Sequence, residues 1–176
     1  MRRLLITLLC ALIVAPAAVA ATRAAGDGVL ELKSVDGSVG VGTIANPARG
    51  ALWGQMDRGT LSVIDPVAGD GQILVSGWDS KKSVDLPSGY TKLVYSGKDL
   101  HFRVTGGKYK LTFGGFGIDF TAVGVGVAYL NGDDTVDDAG YYAVNGGKWI
   151  PVPTFFIPPQ QSKQVPFGDQ SATSNP

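Results

Sequence analysis

The chain has 176 residues, with 15 basic and 15 acidic side chains, one histidine and one cysteine. This length suits a single domain with one hydrophobic core. The charge balance and the lack of a basic cluster exclude nucleic acid as an expected partner. One cysteine with one histidine can form neither a disulfide within the chain nor a Cys/His zinc site.

The first twenty residues have the order of a secretory signal peptide, with a positive start, an apolar core and a small-residue cleavage site. Arg2-Arg3 precede the apolar run Leu4–Val14, and Ala18-Val19-Ala20 places alanine at both positions that the peptidase reads. We therefore expect cleavage after Ala20, which also removes Cys10. An uncleaved membrane anchor is the alternative, because a spanning helix needs about 20 apolar residues and this run approaches that length.

Cleavage would leave an exported chain without cysteine. Arg2 and Arg3 account for two of the 15 basic residues, so 13 basic residues remain against 15 acidic ones. We expect the mature protein to be secreted or associated with the cell envelope, with no transmembrane domain after signal cleavage. With no disulfide available, its stability must come from its core.

Short apolar runs that alternate with polar residues fill the middle of the chain, and many of its 25 glycines separate these runs. Alternation with period two indicates strands with one buried face, and no later segment has the apolar spacing of a helix. The strands predicted in chain order are Val29–Lys33, Ser38–Ile44, Ala51–Met56, Thr60–Ile64, Gln72–Gly77, Lys92–Tyr95, His101–Val104, Lys108–Phe113, Ile118–Tyr129 and Tyr141–Val144.

Turn signals lie between these runs. Asp36-Gly37 and Arg58-Gly59 are two of them, and Gly106-Gly107 predicts a hairpin that pairs the strands on either side. In the long run from Ile118 to Tyr129 the apolar residues change from even to odd positions after Ala122. Either a bulge near Ala122 shifts the phase, or this strand is buried on both faces, and both alternatives make the strand central in its sheet.

The spacing of strands and turns predicts an all-β fold, an antiparallel β-sandwich with a small closed β-barrel as the alternative. We place a single all-β domain at residues 21–150. Residues 151–176 hold six of the ten prolines and should form a strap and a disordered tail rather than a strand. Phe155-Phe156-Ile157 are the residues that could attach this segment to the domain.

Two stretches carry a resemblance to a known group of proteins. Residues 95–113, with the continuation Gly117-Ile-Asp-Phe-Thr-Ala-Val-Gly-Val-Gly, and the earlier Arg58-Gly-Thr-Leu-Ser-Val-Ile-Asp share their glycine and aliphatic spacing with it. In these stretches the chain resembles small exported β-rich proteins of high-GC Gram-positive bacteria. The resemblance implies export and a β fold, and it assigns no catalytic or binding residue.

A polar segment from Asn131 to Asp138 is the candidate metal site. Asn131, Asp133 and Asp137 alternate along it and offer the oxygen ligands that Ca²⁺ prefers. The segment lacks the glycine and the terminal glutamate of an EF-hand loop. A hydrated acidic loop is therefore the competing interpretation, and we expect no cofactor other than this possible calcium ion.

Catalytic signals are sparse, and no catalytic residue is assigned. His101 is the sole histidine and lies on the polar face of its predicted strand, and no serine has the Gly-x-Ser-x-Gly context of a hydrolase nucleophile. A pair of aspartates could still supply acid and base for hydrolysis. Most of the 14 aspartates, however, stand beside turn residues.

Aromatic side chains offer a binding alternative, because flat rings can stack on sugar faces. Trp53 and Tyr141 are further rings of this kind, and we single out three residues as ligand-binding candidates: Trp78, Tyr142 and Trp149. Packing in the core is the competing role, since large aromatics dominate small β cores.

These observations favour an exported, non-catalytic domain that acts as a binding or structural module at or outside the cell envelope. A secreted hydrolase that uses aspartate carboxylates and a carbohydrate-binding module are the alternatives. The partner expected is a component of the cell envelope or a carbohydrate.

Overall fold

The computed structural model describes residues 24–43, 50–67, 69–154 and 162–169. The predicted signal peptide with Cys10, and Phe155-Phe156-Ile157, lie outside these ranges. Within them the regular structure consists of strands, and no helix long and apolar enough to cross a membrane occurs in this part of the chain. The strands are β1 Gly28–Thr43, β2 Ala51–Ile64, β3 Gly71–Ser76, β4 Ser80–Asp85, β5 Thr91–Gly106, β6 Lys110–Gly124, β7 Gly126–Gly132, β8 Tyr141–Val144, β9 Ile150–Pro151 and β10 Lys163–Phe167.

All ten strands belong to one antiparallel sheet, which confirms the predicted all-β class. The main order is β10-β7-β1-β6-β2-β5-β3, while β4 pairs with β5, β8 pairs with β1, and β9 pairs with β8. The path has two ends, at β10 and β3, so the described strands do not close into a barrel.

Four long strands, β1, β2, β5 and β6, run through both halves of this sheet. In one half, the C-terminal part of β5 pairs with β3 and the N-terminal part of β1 pairs with β8. In the other half, the N-terminal part of β5 pairs with β4 and the C-terminal part of β1 pairs with β7. We name the two parts after these edges, the β3 half and the β4 half.

The long strands bend where the two halves join. In β2 the buried side chains step from Met56 to Leu61, and in β6 they step from Phe113 to Ile118. A straight strand repeats every two residues, so a step of five means that the strand turns between them. Left-handed backbone at Ser34 (φ 50°) and Gly117 (φ 62°) accompanies the register shifts of β1 on β6.

The pairing of β1 shows how far the bend goes. Gly28 at its start pairs with Gly124, and Thr43 at its end pairs with Gly126, only two residues further along the chain. A straight strand of 16 residues would separate its ends by about 50 Å at the usual rise. The sheet therefore folds over on itself, which is the sandwich-like arrangement that the sequence predicts.

The core fills the space between the two halves. Phe113 of the β4 half is completely buried. Its ring centroid lies 4.8 Å from that of Phe102 and 5.4 Å from that of Phe120, both in the β3 half. Gly54 pairs with both of these residues, and a methyl group there would lie 2.5 Å from Phe120 Cβ. The glycine thus allows the two rings to approach each other over β2.

Several predicted strands merge in the structure. Val29–Lys33 and Ser38–Ile44 fall largely in β1, and Ala51–Met56 and Thr60–Ile64 both fall in β2. The signals at Asp36-Gly37 and Arg58-Gly59 thus mark bends within strands rather than turns between them.

The predicted hairpin at Gly106-Gly107 was wrong. Both glycines have positive φ, 65° and 79°, but β5 and β6 do not pair, because β2 lies between them. The backbone amide of Gly106 donates instead to the carbonyl of Gly50, just before β2.

The predicted strand from Ile118 to Tyr129 is also divided. A turn at Val125 separates β6 from β7. In β7 the even positions Ala128 and Leu130 stay buried while Tyr129 is exposed. Neither a bulge near Ala122 nor burial on both faces is therefore needed, since the apolar residues Val127 and Tyr129 belong to the outer face of a new strand.

The proline-rich segment contributes strands, contrary to the expectation of a strap and disordered tail. Ile150–Pro151 form β9, and Lys163–Phe167 form β10, which pairs with β7 and buries Val165 and Phe167. Pro166 is compatible with this pairing because β10 is an edge strand and can leave one side without donors. The domain thus extends beyond residue 150.

Candidate functional site

The outer face of the β3 half forms an open groove of about 800 Å³. Neighbouring strands supply its floor in two rows, which the sheet register aligns except at Lys33, where β1 shifts register on β6. The first row is Glu31, Thr121, Trp53, Arg103 and Leu74. The second row is Lys33, Asp119, Gln55, His101 and Ser76. These side chains alternate with buried residues, so the core fixes the strands on which they stand.

Trp53 lies at the centre of the first row, between Thr121 and Arg103. It is 39% exposed although tryptophan is usually well buried. Trp149, from the connection between β8 and β9, also lines the groove and is 48% exposed. Exposed rings on a concave face surrounded by polar groups are typical of a binding surface.

The polar groups of the groove carry both charges. Arg103 and Lys33 offer donors, Glu31 offers a carboxylate, and Gln55 offers both a donor and an acceptor. Asp119 also has a structural contact, because its Oδ1 accepts a hydrogen bond from the backbone amide of Ser34 at 2.8 Å. The groove therefore offers a ring surface with hydrogen-bonding groups around it and no dominant charge.

His101 belongs to the same face. Its Nε2 lies 3.1 Å from Asp99 Oδ1, and Ser76 is its partner across the β3 and β5 ladder. No hydrogen bond joins Ser76 to His101 among the residues that the structure describes. The aspartate side chain is 86% exposed. The three residues are neighbours without being connected as nucleophile and base.

A second groove, of about 670 Å³, continues from the first around the bend of the sheet. The two grooves share Lys33 and Trp149. The other side chains that line the second groove include three carboxylates and two exposed rings: Asp36, Asp57, Asp138, Phe116 and Tyr141.

Several of these side chains are held in place. The Asp138 carboxylate accepts a hydrogen bond from the Tyr141 hydroxyl, which raises the pKa of Tyr141 above its usual value. Asp138 Oδ1 also accepts from the amide of Gly140 at 2.9 Å. The Arg58 guanidinium carbon lies 4.9 Å from the ring centroid of Phe116, a cation–π contact.

The three predicted ligand-binding residues lie in different places. Trp149 lines both grooves. Trp78 is 45% exposed in the turn between β3 and β4, beside Tyr95, and lines neither groove. Tyr142 is buried in the core, so the choice of Tyr142 as an exposed ring was wrong. Its partner in the sheet is Leu32, an inward residue, which leaves Tyr141 on the outer face.

Trp53 was not among the three ligand-binding candidates, although the alternation of apolar residues in its strand predicts an outward-facing ring. Leu52 and Met56 are the inward residues of this strand, so period two places residues 53 and 55 outside. A tryptophan on the outer face of a predicted strand is a better candidate than one in a turn.

The proposed calcium ligands occupy the end of β7 and the loop that follows. Asp133 Oδ1 accepts hydrogen bonds from the Thr135 hydroxyl at 2.6 Å and from its amide at 2.9 Å, and these bonds lower the pKa of Asp133. No group of three or more His, Cys, Asp or Glu side chains in the described ranges is arranged to hold a metal ion. Calcium binding at Asn131, Asp133 and Asp137 remains a prediction.

Compared with protein-family models, curated proteins and solved structures, the chain shows no match.

Proposed function

We propose that this protein is an exported, non-catalytic binding module and that its groove on the β3 half binds a carbohydrate chain. The observation that supports this proposal is the position of Trp53, exposed at the centre of the first row among hydrogen-bonding side chains, with Trp149 lining the same groove. An indole ring covers the C–H face of a sugar, and the surrounding side chains pair with its hydroxyl groups.

The rigidity of the site also favours binding. Trp53, Arg103 and Thr121 stand on adjacent strands of the sheet, whose inner faces are packed in the core. A preformed surface loses little conformational freedom when a ligand binds, so a few contacts suffice for useful affinity. The groove is open along its length, which suits a chain rather than a small enclosed molecule.

Binding without hydrolysis is preferred because, among the residues that the structure describes, only two carboxylates line the groove, Glu31 and Asp119, and Asp119 already has a structural contact. Asp119 accepts a hydrogen bond from Ser34 on the neighbouring strand. A glycoside hydrolase needs two carboxylates about 5–9.5 Å apart on either side of the scissile bond. Turnover of a bound glycan that Glu31→Gln abolishes would replace this proposal with the hydrolase alternative.

Export forms part of the proposal. The arginine pair, apolar run and alanine cleavage site at residues 2–20 support it. A module that leaves the cytoplasm meets the polysaccharides of the cell envelope and its surroundings.

The experiment is a binding survey with matched tryptophan variants of the mature chain. Purified protein is incubated with insoluble polysaccharides, and calorimetry with the matching oligosaccharides follows. Trp53→Ala should weaken binding at least about tenfold, or about 1.4 kcal/mol, as expected for a central aromatic residue.

Trp78→Ala is the matched control, because Trp78 is similarly exposed but lines neither groove. Equal losses in the two variants, or no binding to any polysaccharide, would contradict the proposal.

A further inference from the structure

The second groove differs from the first in the side chains that line it, and these side chains indicate which chemical group of the ligand it recognises. Its aromatic side chains, Phe116, Tyr141 and Trp149, are each more than a third exposed. Its charged lining side chains are three aspartates and Lys33, with the Arg58 guanidinium over the outer ring of Phe116, whereas the first groove mixes both charges more evenly. Rings together with carboxylates are the combination that attracts an organic cation.

The two grooves form one path. Trp149 and Lys33 line both of them, and the second groove lies where the strands bend out of the β3 half. A chain that stacks on Trp53 and continues past Trp149 therefore enters the acidic part of the path.

Among the three carboxylates, Asp57 is the one best placed to meet a ligand. Asp36 and Asp138 each accept a backbone amide, from Gly117 and Gly140, and Asp138 also accepts from Tyr141. Asp57 is exposed, and its carboxylate lies beside Gly117, at the point where β6 bends.

We propose, on the basis of the proposed function, that the ligand is a glycan whose sugars carry free amino groups and that the second groove recognises these groups. In weakly acidic solution, where aspartates are still ionised, such a sugar carries an ammonium group. The Asp57 carboxylate pairs with this group, while the rings of Tyr141 and Trp149 contact the sugar to which it is attached. The first groove binds neighbouring sugars of the same chain.

The test compares two oligosaccharides of equal length, N-acetylglucosamine oligomers and the same oligomers after complete removal of the acetyl groups. Calorimetry on the mature chain, in weakly acidic buffer at low salt, should give about two- to fivefold tighter binding of the amine-bearing oligomer, the range expected for exposed charge pairs. The difference should shrink at about 1 M salt, where the screening length is about 3 Å.

Asp57→Asn should remove this preference, so that the two oligomers bind with about equal affinity. Asp134→Asn is the control, because Asp134 is exposed in the loop after β7 and lines neither groove. Circular dichroism and the midpoint of thermal unfolding show whether both variants fold like the wild type.

The outcomes separate the two proposals. Binding that depends on Trp53 but shows no preference for the amine, or a preference that Asp57→Asn does not change, would overturn this inference and leave the binding module intact. No binding of either oligomer, together with no binding in the polysaccharide survey, would overturn both.

Discussion

Asp36 Oδ1 accepts a hydrogen bond from the backbone amide of Gly117 at 2.7 Å, across the pair of strands β1 and β6. A second carboxylate acts in the opposite direction, since Asp119 of β6 accepts from the amide of Ser34 of β1 at 2.8 Å. Both donors have left-handed backbone, which takes their amides out of the regular ladder. The two aspartates thus stabilise the bend that turns one sheet into two facing halves.

Loss of the Asp36 carboxylate should destabilise the fold. We expect Asp36→Ala to lower the free energy of unfolding by about 1–3 kcal/mol, because the amide of Gly117 loses its partner. Asp36→Asn retains an acceptor oxygen and should cost less. Urea denaturation measures both, with Asp134→Ala as the exposed control, and equal values for all three variants would show that the contact does not matter.

Gly54→Ala should be among the most damaging glycine substitutions. An added methyl group would meet the Asp119 carbonyl oxygen and lie 2.5 Å from Phe120 Cβ, so strands must move apart, at a cost of about 1–3 kcal/mol. Gly114→Ala is the matched control in the same sheet. Its methyl group would meet no atom within 4 Å, and it should be neutral or stabilise the fold by up to about 1 kcal/mol.

The C-terminal strand should contribute strongly to stability. Phe167 is 3% exposed at the end of β10, and Phe167→Ala should cost about 3–5 kcal/mol, as for other buried aromatic residues. Gln164→Ala, at an exposed position of the same strand, should change little. A disordered tail would instead predict that both variants, and deletion of residues 161–176, unfold at the wild-type temperature.

The turn at Asp133 should be visible in its titration. Its pKa is lowered first by the hydrogen bond from the Thr135 hydroxyl and then by that from the Thr135 amide. A lowered pKa means that these bonds stabilise the fold above the ordinary pKa of an aspartate, and that this stability is lost as the pH falls through the folded value. NMR titration should show a higher pKa of Asp133 in Thr135→Val, and an unchanged pKa would contradict the assignment.

Calcium should bind the loop weakly or not at all. The carboxylates repel one another, and Asp133 is already engaged with Thr135. Calorimetry should give a dissociation constant no tighter than about 10⁻³ M, the weak end of extracellular calcium modules. Micromolar binding that is lost in Asp133→Asn/Asp137→Asn would make the loop a metal site.

Sequence patterns predicted the strands better than their connections. The pattern predicted a strand at each end of β2 and of β6, but the odd step from Met56 to Leu61 appeared as a break between two strands. Local sequence does not distinguish a bend from a turn, because both need glycine or left-handed backbone. Whether a strand continues depends on neighbours distant in the chain.

The strands that were missed are edge strands. All six residues of β4 are exposed, so no apolar alternation marks it, and β10 contains Pro166 within the proline-rich segment. The groove was not predicted either. Trp53 and Arg103 stand on different strands, and the sequence pattern does not show that these strands are neighbours in the sheet. Alternation predicts which side chains face outward but not which of them meet.

The most direct test of the central claim is an NMR titration of the mature protein with the tightest-binding oligosaccharide from the survey. The chain has three tryptophans, and each gives a separate indole N–H signal. The signals of Trp53 and Trp149 should shift on binding, while that of Trp78 should stay in place. A bound oligosaccharide that shifts Trp78 and leaves Trp53 unchanged would show that the groove on the β3 half is not the binding site.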